Sequence, residues 1–246
     1  MHQKDPSLIF DEAHAVSYDE RFAKLAPLRD ALDLLIQAIF SSLPADSRVL
    51  CVGVGTGSEV ISLGERFPGW RFTGVEPSAP MLGVCCRRIA EHGLSDRCDF
   101  HHGYVDSLPV AEPFDAATAI LVSHFILAPE ARAGFFRAIA KRLRPGGCLV
   151  DVDLASGDAS PACRSLLNVW LRMMKGADVP AEEIEKLREA YGRDVALWPP
   201  EQVGATIAAS GFEMPVPFFQ AGLIHGWYAN RRSDAAASPS SQASQP

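Results

Sequence analysis

Three glycines in five residues, Gly53-Val54-Gly55-Thr56-Gly57, follow the apolar run RVLCV and precede the helical pattern SEVISLGERF. Glycines so placed let the chain turn tightly and admit a ligand against the backbone. That ligand would lie at the carboxyl ends of strands, near the free N–H groups of a helix. The next apolar run, WRFTGVE, ends at Glu76, where an acidic residue can take up ribose hydroxyls. A nicotinamide-binding loop of the form G-x-G-x-x-G has glycine where Ser58 stands, and here Gly57 comes one step early. A plain tight turn accounts for the glycines but not for Glu76. Further on, Ser123-His124-Phe125 closes another apolar run. An imidazole there could take a proton from a hydroxyl, or orient it. The plainer reading of His124 is a polar residue hydrogen-bonded within its own loop, and that reading is favoured for His101 and His102.

The elements that must hold these residues alternate. From Arg48 to Ala155 apolar strand patterns (RVLCVGVG, WRFTGVEP, RCDFHHGYV, FDAATAILVSHF and CLVDVDLA) are separated by helical ones. The helix SAPMLGVCCRRIAEHG stops at Gly93, and EARAGFFRAIAKRL is closed by Pro145-Gly146-Gly147. Such alternation predicts an α/β protein with a parallel sheet covered on both faces. Before it, residues 18–43 form one apolar stripe through Leu25, Leu28, Leu32, Leu35, Ile36 and Ile39, a helix or two. After Asp153 a helix-rich stretch runs to about Tyr191. A helix near Glu201–Ser210 follows, and two late strands at about 213–220 and 222–230 finish the fold. The end, SDAAASPSSQASQP, has the composition of a disordered tail.

Taken in order, these runs resemble class I S-adenosylmethionine-dependent methyltransferases. VLCVGVGTGSEV is similar to the family's glycine motif and FTGVEPSAPML to the ribose-holding motif. HHGYVDSLP is similar to the adenine-side loop, and LRPGGCLVDVD to the turn and fifth strand. The resemblance implies a Rossmann-like, seven-stranded, mostly parallel sheet of order 3-2-1-4-5-7-6 with strand seven antiparallel. It divides the chain into an N-terminal helical segment (1–47), a methyltransferase domain (48–232) with a helical lid insert (155–200), and the tail (233–246). It implies S-adenosyl-L-methionine as cofactor. Gly53, Gly55 and Gly57 would pass beneath the methionine moiety, and Glu76 would hold the ribose. Pro77 and Met81 would pack on the adenine, Asp106 would accept from its amino group with Val105 beside it, and Leu121 would face the sulfonium. Two departures stand out. Cys51 occupies the usual acidic position before the first glycine, and Gly103-Tyr104 replaces a Gly-Asp pair. The amino-acid end of the cofactor therefore needs another anchor, for which Tyr18 and Arg21 are candidates.

His124 is then the candidate base, just past strand four. In the insert Trp170, Met174, Arg188 and Tyr191, and in the closing hairpin Phe219 and Trp227, are candidate acceptor contacts. At helical spacing Trp170 and Met174 also read as core. The segment FDE, the helical insert and the closing hairpin resemble carboxy-S-adenosylmethionine synthases and wobble-uridine methyltransferase-like relatives. In such a synthase Arg188 would hold the extra carboxylate. That alternative ranks below ordinary methyl transfer, and a non-catalytic S-adenosylmethionine-binding protein is the third.

Composition narrows the acceptor. The net charge is −7 and the Lys and Arg residues are scattered, with pairs such as Arg87-Arg88 and Lys141-Arg142 reading as solvated helix faces. A basic face that would grip nucleic acid is missing, so a small-molecule methyl acceptor is expected. Six cysteines without a C-x-x-C pair read as small core residues of a reduced, cytoplasmic protein, with no metal site. No apolar run approaches the roughly 20 residues of a membrane span. The lid makes a homodimer plausible.

Overall fold

The strand order reverses beside the first strand, and that reversal creates the crevice where the glycines lie. In the computed structural model, which describes residues 25–157, 160–176, 179–191 and 193–233, the first helix is α1 (Ala26–Phe40). It is followed by β1 (Arg48–Val52), α2 (Ser58–Arg66), β2 (Arg71–Glu76), α3 (Ala79–Glu91) and β3 (Cys98–His102). Next come β4 (Phe114–Ile120), α4 (Pro129–Arg142), β5 (Leu143–Leu154), α5 (Pro161–Gly176) and α6 (Ala181–Ala190). The chain closes with α7 (Pro200–Ala209) and the hairpin β6 (Val216–Ala221) and β7 (Ile224–Asn230). The sheet order is β3-β2-β1-β4-β5-β7-β6, as expected from the sequence. β1 pairs in parallel with both β2 and β4, and β7 runs antiparallel to β5 and β6. A crevice opens at such a switch point, outside the carboxyl ends of β1 and β4.

Burial explains the continuous apolar strands. Leu50, Val52, Ala117, Ala119 and Leu149 face Phe136 and Ile139 of α4 and Val203 and Ile207 of α7. The alternate residues Val49, Cys51, Ala116, Val150 and Val152 face Leu32, Ile36 and Phe40 of α1 and Val60, Leu63, Cys85 and Ile89 of α2 and α3. A sheet buried on both faces has no room for a period-two polar pattern. A third, smaller cluster joins Trp170, Leu171 and Met174 of α5 to Ile184 of α6 and Leu223 of the β6–β7 turn.

Boundaries differ where turn chemistry overrides pattern. Pairing of β5 begins at Leu143, which lies opposite Phe114, and a register shift before Ala116 absorbs the Pro-Gly-Gly turn. β6 begins only at Val216, one residue after Pro215, because proline has no N–H for the ladder. The expected termini at 1–24 and 234–246 lie outside the described residues. Among the described residues no helix is long and apolar enough to cross a membrane, and no group of three or more His, Cys, Asp or Glu could hold a metal ion.

Candidate functional site

The glycine loop is built by bonds that leave its outer surface bare. The N–H groups of Gly53 and Val54 both donate to the Val75 carbonyl, at 2.7 and 3.1 Å, which binds the end of β1 to the end of β2. Gly53, Gly55 and Gly57 have φ of 67°, 55° and 82°, in the left-handed region that favours glycine. A Cβ on Gly53 would come within 2.5 Å of the Val122 side chain, whereas one on Gly55 would meet nothing closer than the Met81 methyl at 3.6 Å. Gly53 is thus closed against the strand-four loop, whereas a side chain at Gly55 would begin in ordinary contact with Met81 and fill the cradle between them.

Glu76 stands beside that cradle. Its carboxylate accepts from the N–H groups of Gly55, at 3.0 Å, and Ser78, at 2.9 Å. Burial raises its pKa above the ordinary value, and the two backbone bonds and the nearby His102 oppose that rise. Ser78 caps α3 by accepting from Met81 N–H, so Met81 is fixed under Gly55, and the Pro77 carbonyl accepts from His102. Val105 is buried and Asp106 exposed in the following loop. Among the described candidates, Gly53, Gly55, Gly57, Glu76, Pro77 and Met81 are therefore brought together around one crevice. This arrangement fits a nucleoside cofactor: two bonded ends of parallel strands, a buried carboxylate at the end of β2, and glycines beside it. Tyr18 and Arg21 lie outside the described residues.

Two arginines that read as solvated helix charges do different work. Arg88 of α3 donates to the Thr56 carbonyl (2.9 Å), the Thr56 hydroxyl (3.0 Å) and the Ser58 hydroxyl (3.1 Å). It clamps the far side of the glycine loop. Arg142 donates to the carbonyls of Pro109, at 2.7 Å, and Leu108, and so holds the loop carrying Val105 and Asp106. Nothing in a lone pair of basic residues signals such a role. Only the fold brings carbonyl-rich loops within reach. At the position of the missing acid, Cys51 is fully buried, and burial pushes its thiol well up, with the neighbouring Glu59 adding to the shift. Glu59 itself, in the first turn of α2, is pushed up to about 8 by burial, its own backbone N–H opposing and Asp33 and Glu76 adding. A polar cleft of about 490 Å³ between α1 and α2 includes Ser58 and Arg88 in its lining but none of the three glycines and not Glu76.

The second half of the site lies at the ends of β4 and β5. Leu121 has φ of 59°, a left-handed value rare for a side chain of its size, and its N–H donates to the Val152 carbonyl at 2.6 Å. This kink sends the chain into the turn Ser123–Phe125. There Asp153 Oδ1 accepts from the backbone N–H of His124, at 3.1 Å, and lies 2.8 Å from its Nδ1. The Leu154 N–H lies 3.4 Å from the same nitrogen, a longer contact than that of the carboxylate. Arg132 of α4 donates to Asp153 Oδ2 at 2.6 Å and to the Ser123 hydroxyl at 2.7 Å, and that hydroxyl donates to Asp153 Oδ2. Ser123, His124, Arg132 and Asp153 are all buried. Burial would raise the Asp153 carboxyl, but its bond from His124, the Arg132 charge and the Ser123 hydroxyl prevail and hold it below the ordinary value. Two residues back on the same strand face, Asp151 is equally buried, neither carboxyl oxygen has a hydrogen-bond partner, and burial pushes its pKa well up.

The remaining candidates are spread apart. Trp170 and Met174 are buried in the small cluster of α5 and α6, and the Trp170 indole donates to the Tyr191 hydroxyl at 2.8 Å. Arg188 is exposed on α6, 3.5 Å from Glu185. Phe219 packs with the α1–α3 side of the sheet and Trp227 with the α4–α7 side. Trp198, another aromatic residue of the insert, stacks on the Arg132 guanidinium at 4.3 Å.

Comparison with known proteins agrees with this geometry. Residues 49–147 match a family model described as a methyltransferase domain. The chain is 24% identical to a carboxy-S-adenosyl-L-methionine synthase of Methylococcus capsulatus, across 89% of each. It is 32% identical to a release factor glutamine methyltransferase of Chlorobaculum tepidum, over 50% of this chain and 42% of that one. The crystal structure of the S-adenosylmethionine-dependent methyltransferase SibL in its apo form has the same fold, with a TM-score of 0.58 at 19% identity. That likeness covers 83% of this chain and 57% of SibL. The chain thus spans about half the length of the last two proteins.

Proposed function

We propose that this chain, a class I S-adenosylmethionine-dependent methyltransferase by its domain and its fold, methylates a small molecule held near His124 beneath α5 and α6. The cofactor supplies an electrophilic methyl group on sulfur, so the protein's task is to position the acceptor and keep water out. The observation that carries the reading is the Glu76 carboxylate, buried and held by Gly55 and Ser78 N–H groups at the edge of an open glycine cradle. Gly53, Gly55 and Gly57 would bear the methionine end, Glu76 the ribose hydroxyls, and Pro77, Met81, Val105 and Asp106 the adenine. Leu121 would face the sulfonium.

The helical insert supports an enclosed acceptor site. Its small core is seated on Leu223 of the hairpin turn, and the Ala155 N–H donates to the Leu223 carbonyl at 2.8 Å. Trp170, Met174 and Tyr191 would then shape the lid from within, while Phe219 and Trp227 support the sheet beside it. The net charge of −7 favours a small acceptor over nucleic acid. A homodimer and a cytoplasmic setting belong to the same reading.

A carboxy-S-adenosylmethionine synthase-like activity is the second reading, favoured by similarity over 89% of both chains. It would need Arg188 to turn from Glu185 toward the cofactor. Native mass spectrometry of the purified chain separates the two, since a carboxylated cofactor is heavier than S-adenosylmethionine. Titration calorimetry with S-adenosylmethionine and, separately, with a nicotinamide dinucleotide tests the common premise. Binding of the first alone is expected, and binding of the second alone would overturn it.

A further inference from the structure

We propose that Asp153 is a positioning residue. With Arg132 and Ser123 it holds His124 as the Nδ1–H tautomer, leaving Nε2 bare to receive the proton of a hydroxyl acceptor. The inference rests on the methyl-transfer reading above and deepens it. Four elements converge on this cluster: the turn after β4 carries His124, β5 supplies Asp153, α4 supplies Arg132, and the segment after α6 supplies Ala196 and Trp198. The Ala196 N–H donates to the His124 carbonyl at 2.8 Å, so the backbone is fixed from the far side as well. A carboxylate serving only to fasten the turn needs only the backbone N–H of His124. Here the same oxygen also lies 2.8 Å from the ring nitrogen.

Arg132 makes this arrangement rigid. Its guanidinium binds Asp153 and Ser123, reaches the Ala196 carbonyl at 3.5 Å, and stacks on Trp198. A buried ion pair of this kind adds little net stability over an apolar packing, so its presence here fits a part in fixing one arrangement of the cluster. The pair also limits the acceptor. With Arg132 committed to Asp153 and Trp198, it is not offered to a carboxylate acceptor, whereas a neutral hydroxyl needs only a base. In the transfer the acceptor oxygen bonds to the methyl carbon as the carbon–sulfur bond breaks, its electron pair going to sulfur. The hydroxyl's own electron pair stays on oxygen and its proton passes to Nε2. Asp153 then faces an imidazolium, which returns the proton to water.

The test is a long-range proton–nitrogen correlation spectrum of the full chain labelled with 15N-histidine, with His124→Gln assigning the signal. The expected result is a protonated Nδ1 and a bare Nε2. In Asp153→Asn the amide can present its NH2 group to the ring, and the signal should move to the Nε2–H form. A wild-type ring protonated on Nε2 would overturn the proposal, as would an unchanged tautomer in a folded Asp153→Asn. Should that variant not fold, the wild-type spectrum decides alone. Calorimetry with S-adenosylmethionine on the same samples keeps the two inferences apart. A wild type that does not bind it would sink the methyl-transfer reading and leave the tautomer result standing.

Discussion

Replacing Asp151 by valine should make the protein more stable, and the gain should grow with pH. Asp151 lies on β5 between Ala119 of β4 and Trp227 of β7, fully buried, with neither carboxyl oxygen bonded. An unsatisfied buried polar group costs about 1–3 kcal/mol in proteins. Valine is of similar size and suits a strand, so the substitution should recover most of that amount. The pH dependence adds to it. Burial, the Asp153 charge next and despite Arg132, raises the folded-state pKa well above the ordinary 3.8. Over the window above 3.8 the unfolded chain has lost this proton and the folded chain keeps it. Wild-type stability therefore falls as pH rises through that window, by about 1.4 kcal/mol per pH unit, until the folded group ionises as well. Asp151→Val removes both costs, whereas Asp151→Asn removes only the titration and keeps the unsatisfied polarity. Urea unfolding at about pH 5 and about pH 7 measures the difference. A valine variant that is no more stable than wild type, or whose gain is the same at both pH values, would refute the account of Asp151.

The glycine loop offers a paired prediction. Gly53→Ala should lower stability by about 2 kcal/mol or more, since a positive φ and a Cβ 2.5 Å from Val122 both oppose it. Gly55→Ala meets only the Met81 methyl at 3.6 Å, so thermal unfolding should show the smaller loss while calorimetry shows the greater loss of S-adenosylmethionine binding. Glu76→Ala removes a carboxylate held by two N–H groups and should weaken cofactor binding about 10–100-fold, the worth of charged hydrogen bonds. In the wild type that affinity should also fall on acidification, beginning above the ordinary glutamate value because the Glu76 pKa is raised. Arg132→Leu takes the arginine charge away from the buried Asp153 carboxylate, at about 3–5 kcal/mol. At about 2–4 °C per kcal/mol, calorimetry should show a melting point lower by roughly 6–20 °C.

The fold was legible because its signals are local and repeated. RVLCV, FDAATAI and CLVDVDL are apolar along most of their length since both faces of the sheet are covered, and helical patterns separate them. The order of the strands followed from the order of the motifs. What pattern could not fix was the edges of elements. The start of β6 depends on which backbone N–H groups find a partner, and Pro215 and Pro217 decide that more than hydrophobicity does.

The site divides along the same line. The glycines and Glu76 were readable because one stretch of chain carries each of them at a strand end, and a strand end in a parallel sheet is a place in space. His124 could be singled out for the same reason. Its partners could not. Arg132 is one basic residue among those of an amphipathic helix, and Asp153 one of two aspartates in an apolar strand. Period-two geometry puts Asp151 and Asp153 on the same face, yet one is bonded on both oxygens and the other on neither. The difference is where α4 sets its guanidinium, beside Asp153, two residues nearer the carboxyl end of β5 and next to the turn that carries His124. Arg88 and Arg142 repeat the lesson on a smaller scale, each spent on carbonyls of a loop that only tertiary packing brings near. Residues at strand ends can announce themselves as site candidates by type and spacing. Those that hold the loops of the candidate site in place are ordinary residues given their task by the fold.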